Sequence, residues 1–124
     1  MRQRLKFKRA EAIENLESYA RVIVVHLALL AWFPGNNAKN HWQAEINAFI
    51  KTLRRYDKGE KRPHNFSVEL ISEILEDEFL KNDDQDAILI GIEGHGVLAP
   101  ERPDFKLLAQ SVKDFAEQVI FDAR

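Results

Sequence analysis

The chain contains no cysteine, which excludes a disulfide scaffold, a thiolate zinc centre and a cysteine nucleophile, and fits a reducing cytosol. It has little excess charge of either sign. A net charge of −2 at pH 7 gives no overall attraction to nucleic acid or to an anionic membrane. A membrane-length apolar run is also missing. YARVIVVHLALLAWF, from Tyr19 to Phe33, is interrupted by Arg21 and His26 and is shorter than the roughly twenty residues a span requires. A secretory signal would place its apolar stretch nearer the start and follow it with a small-residue cleavage site. No serine among Ser18, Ser67, Ser72 and Ser111 sits in a G-x-S-x-G elbow, so a hydrolase nucleophile is not indicated.

What remains is ordinary globular material. The 124 residues are 45% apolar and 31% charged, enough for one domain over residues 1–124 with a core of its own. The charge is nevertheless segregated. Arg2, Arg4, Lys6, Lys8 and Arg9 make the start basic, with residues 1–8 as a basic lead-in that could be mobile, and no acid falls in the first ten positions. Lys51, Arg54, Arg55, Lys58, Lys61 and Arg62 form a second basic cluster, diluted by Asp57 and Glu60. Glu69, Glu73, Glu76, Asp77, Glu78, Asp83, Asp84 and Asp86 then face only Lys81. A sequence so divided could self-associate or fold with opposite signs facing; a solvated acidic helix face is the simpler reading.

Hydrophobic spacing predicts helices. Ile13, Leu16, Ala20, Ile23, Leu27 and Leu30 recur at threes and fours, which marks one helix from about Lys8 to Phe33, amphipathic first and apolar nearly all round later. Pro34-Gly35 ends it. Asn40, with Gln43 three residues on, predicts the cap of a second helix with the stripe Trp42, Ile46, Phe49, Leu53 and Tyr56. A short loop makes these two an antiparallel hairpin. Ser67 predicts the cap of a third helix lined by Leu70, Ile71, Ile74, Leu75 and Phe79, which Asn82-Asp83-Asp84 would break. Residues 87–93 are rich in β-branched side chains but have no partner strand, so a short helix over Asp84–Glu93, ending at Gly94 and Gly96, is favoured over a strand. Asp104 predicts the cap of a last helix carrying Leu108, Val112, Phe115 and Val119. The expected fold is an all-α bundle of four to five helices with a long antiparallel hairpin at its centre.

Chemistry-bearing residues are sparse. His41 and Glu45 share a helix face, but a metal needs three or four ligands, and neither a metal nor any other cofactor is expected. His64 and His95 lie in loops, the latter within Gly94-His95-Gly96. Trp32 and Trp42 fall at the same end of the hairpin, where they would clamp it. Lys51, Arg54, Arg55, Lys58 and Arg62 could meet nucleic acid or an acidic protein partner.

Two resemblances add to this. RVIVVH, with Arg21 and His26, resembles the motif of the HEPN helical-bundle family, many of whose members are metal-independent ribonucleases. It implies His26 as acid or base and Arg21 on phosphate charge. The residues themselves read as a half-buried polar pair in the core helix, turned apart by their offset of five. RVIVVHLALLAWFPGNNAKNHWQAEINAFIKTL resembles the middle of the bacterial domain-of-unknown-function family twenty-nine. Leu29, Leu30 and Trp32 stand for its apolar helix and Trp42, Ile46 and Arg54 for the next. FSVELISEILEDEF and PERPDFKLLAQSVKDF resemble its later helices, so the likeness runs over about residues 10 to 118. It implies an all-helical fold and no activity. The expectation is a cytoplasmic protein–protein interaction module, a homo-oligomer or small subunit of a bacterial system. The alternatives are a HEPN-like ribonuclease and a nucleic-acid-binding accessory protein.

Overall fold

The structure, a computed structural model, describes residues 2–58, 67–80 and 82–121, with side chains over 14–54, 67–80 and 85–120. Among the described residues there are five helices and no strand: α1 (Arg2–Trp32), α2 (Lys39–Lys58), α3 (Val68–Leu80), α4 (Asn82–Glu93) and α5 (Phe105–Phe121). The all-α bundle is as the periodicity predicts. All four other helices pack on α1. Its run from Ile23 to Leu29 is accordingly buried on every side, as expected of a helix that is apolar nearly all round.

Pairings across α1 and α2 show their direction. Tyr19 meets Phe49, whereas Leu27 and Leu30 share a pocket with Gln43 and Ile46. Numbers rise along one helix as they fall along the other, so the pair is an antiparallel hairpin. Trp42, Ile46, Ile50 and Leu53 form its buried inner stripe. On the far side, Leu108, Val112, Phe115 and Val119 of α5 are buried in the same core, with Ile71, Leu75 and Phe79 of α3 and Ile88 and Ile92 of α4.

Helix boundaries follow local chemistry, with three departures from the spacing argument. First, α1 starts at Arg2 instead of Lys8: RQRLKFKR contains neither glycine nor proline, so nothing stops the helix running through the basic start. Second, Asn40 lies inside the first turn of α2. The entry is held instead by Asn36, whose Oδ1 accepts from the Ala38 N–H at 2.8 Å and whose carbonyl accepts from the Lys39 N–H. Gln43, free of any capping task, donates to Asn47 Oδ1. Third, Asn82-Asp83-Asp84 begins α4 rather than separating it from α3. Acids suit a helix N-terminus, and Gln85 Nε2 reaches back to the Phe79 carbonyl near the end of α3 at 3.1 Å.

The other caps are as expected. Ser67 Oγ accepts from the Leu70 N–H, and Asp104 Oδ1 from the Leu107 N–H. Residues 87–93 are helical, and Gly96 closes the following turn at φ 85°, a backbone region that glycine enters without strain. Trp42 is buried, while Trp32 fastens the hairpin's end to α5. Its Nε1–H donates to the Asp104 carbonyl at 3.1 Å, and its ring meets Phe105 edge-on at 5.5 Å. No helix among the described residues is long and apolar enough to cross a membrane.

Candidate functional site

Arg21 and His26 share α1 but leave it in different directions. Arg21 Nε donates to Glu78 Oε1 of α3 at 2.9 Å. His26 is 6% exposed and lies among Phe49 of α2, at 6.4 Å between ring centres, and His95, at 5.0 Å. Its Nδ1–H donates to the Val22 carbonyl at 2.8 Å. The pair that the HEPN resemblance requires on one phosphate is therefore split between two faces of the helix.

The structure instead brings His26 together with His95, whose loop position between two glycines gave no such hint. His95 stands edge-on to His26, and His41 of α2 is near enough for its charge to act on it. His41 Nε2 in turn lies 3.9 Å from Glu45 Oε1. The His95 pKa is lowered from the ordinary 6.5, first by partial burial of the ring and then by the like charges of His26 and His41. The native state thus takes up this proton less readily than the unfolded chain, so stability is complete above about pH 6.5 and declines as the pH falls below it. Urea midpoints taken between about pH 7.5 and pH 5 should fall more for the parent protein than for a His95→Gln variant. The difference should be small, because over a third of His95 is solvent-exposed. Equal slopes would remove His95 as the source. Among the described residues, no group of three or more histidine, aspartate or glutamate side chains is placed to hold a metal ion.

The second basic cluster is divided as well. Lys51 is exposed on α2. Arg54 turns toward α5, where its Nε and Nη2 donate to the Gln118 carbonyl at 3.2 and 2.6 Å. This bond serves the bundle, joining two helices that run the same way. The side chains of Arg55 and Lys58, and all of Arg62, lie outside the described residues.

Among the described residues, a concave feature lies between α1 and α3. A groove of about 420 Å³ is lined by Glu17 and Ala20 of α1 and by Leu70, Glu73, Ile74, Asp77 and Glu78 of α3. Four carboxylates form its walls over three apolar side chains. Glu78 is bridged to Arg21 at one end; Glu17 and Glu73 are exposed. Spacing along α3 explains its share of the wall: Glu73 and Asp77 are one turn apart, and Leu70 and Ile74 are offset from them toward the core. The acidic run from Glu69 was visible in the sequence, but it reads there as a solvated face. The contribution of Glu17 and Ala20, some fifty residues earlier, carries no sequence signal at all. No family model, no curated protein and no solved structure matches the chain.

Proposed function

We propose that this chain is a protein–protein interaction module and that it binds its partner in the groove between α1 and α3. The observation that carries the reading is the combination found there: an apolar floor of Ala20, Leu70 and Ile74 under carboxylate walls. An amphipathic helix with lysine or arginine beside its apolar stripe is the natural complement, with apolar contact for affinity and opposite charge for orientation and encounter rate. The cysteine-free composition fits a cytosolic setting. The ribonuclease reading is less well supported, since Arg21 is engaged by Glu78 and His26 by the Val22 carbonyl. So is the nucleic-acid reading, because the groove is acidic and Arg54 is engaged by Gln118.

The reading is tested by titrating the isotopically labelled protein at low salt with a synthetic amphipathic helix of leucine and lysine. Chemical-shift changes should concentrate at Glu17, Ala20, Leu70, Glu73 and Ile74, and Glu73→Lys should weaken binding by roughly tenfold. No saturable change up to millimolar peptide, or changes confined to another face, would overturn it.

A further inference from the structure

We propose that the occupant of the groove is the basic start of α1 from a second copy of this chain, exchanged symmetrically in an antiparallel dimer. The inference rests on the interaction reading above and names its partner. Donor and acceptor lie on one helix. Arg2, Arg4, Lys6, Lys8 and Arg9 occupy its first two turns, while Glu17 and Ala20 help line the groove. At 1.5 Å per residue, the segment around Lys6 lies about 18 Å along the axis from residue 18. A continuous helix cannot fold back on itself, so the segment cannot reach its own groove. It can reach another molecule's.

The charges are complementary: five cations without an acid in the first ten residues, against four wall carboxylates of which Glu78 already holds Arg21. Leu5, which helical spacing places beside Arg2, Lys8 and Arg9, supplies an apolar group for a floor of Ala20, Leu70 and Ile74. Symmetry makes the exchange self-consistent. When two α1 helices run antiparallel about an axis near residue 11, residue 4 of each lies opposite residue 18 of the other. Both exchanges then form together, as an isologous contact requires. α1 is also the longest helix, 31 residues against 20 for α2, and so offers the length that such an overlap uses.

Sedimentation equilibrium of the full chain tests this, at about 50 mM and about 500 mM salt, a range over which exposed charge pairs become screened. The expected result is a concentration-dependent dimer at low salt that shifts toward monomer at high salt. Glu17→Lys with Glu73→Lys reverses the acceptor, and Arg4→Glu with Lys8→Glu reverses the donor. Each double variant should raise the dissociation constant at least tenfold, and an equimolar mixture of the two should recover the dimer, because each chain then supplies what the other lacks. Helical circular dichroism checks that each variant folds, and the mixture remains decisive if one variant alone is weakened. A parent protein that stays monomeric at low salt, or a dimer indifferent to both reversals, would overturn the proposal. If the parent is monomeric yet the leucine–lysine helix still perturbs Glu73 and Ile74, only the self-association fails. If that helix perturbs nothing, the interaction reading fails with it.

Discussion

Phe79→Ala should lower the stability of this domain by about 3–5 kcal/mol, the cost of removing a fully buried aromatic ring and leaving its cavity behind. Phe79 is among the largest side chains with no solvent exposure. It lies where the end of α3 meets the start of α5, its ring stacked on Phe105 at 6.0 Å and 19°. Phe105 also carries the edge of Trp32, so the cavity would open beneath the contact that fastens the central hairpin to α5. Natural domains have about 5–15 kcal/mol in all, so the variant should populate unfolded chain at room temperature and melt many degrees earlier. Leu80→Ala is the control. Leu80 follows Phe79 on the same helix but is 63% exposed, and its loss should stay within about 0.5 kcal/mol. Urea titrations of both, followed by circular dichroism, separate the cases. Similar losses at the two positions would show that burial is not what makes Phe79 matter.

Gly91→Val should cost about 3 kcal/mol for the opposite reason, too much volume instead of too little. Gly91 lies within α4, where glycine is ordinarily the poorer choice and replacement by alanine would gain about 1 kcal/mol of helix propensity. Here a Cβ would stand 2.7 Å from Val25 Cγ2 on α1. Val25 is itself buried and, being β-branched in a helix, has essentially one rotamer. The neighbour cannot swing aside, so α4 must move off α1. Gly91→Ala should therefore be milder than Gly91→Val, since it gains propensity while meeting the same wall with one carbon. Val25→Ala in the Gly91→Val background should recover part of the loss, giving a coupling of roughly 0.5–3 kcal/mol in a double-mutant cycle. Additive losses would mean that the two residues do not share the contact.

These positions show what could be read from order along the chain. The stripe Leu108, Val112, Phe115 and Val119 and the caps Ser67 and Asp104 are local patterns, set by a 3.6-residue period and by a side chain reaching amides two or three positions ahead. They occur in the structure where spacing places them. The misplaced cap is equally local in cause. Asn36 and Asn40 are both competent caps, and the turn after Pro34-Gly35 let the earlier one act. Gly91 gave no sign that it marks a close helix approach, because the Val25 that presses on it is far away in sequence.

Composition and periodicity alone determined that this is a cysteine-free, all-helical domain with α1 at its centre and with basic and acidic stretches kept apart. Only the tertiary structure decided what those charges and imidazoles meet: Arg21 reaches Glu78 at a separation of 57 positions, Arg54 reaches Gln118 at 64, and His26 faces His95. It also made a groove from one face of α1 and one of α3. The division has a physical basis. A helix's inner face follows from its own residues, whereas its polar contacts depend on which neighbour packs against that face and at what rotation, and that is settled by the whole core at once.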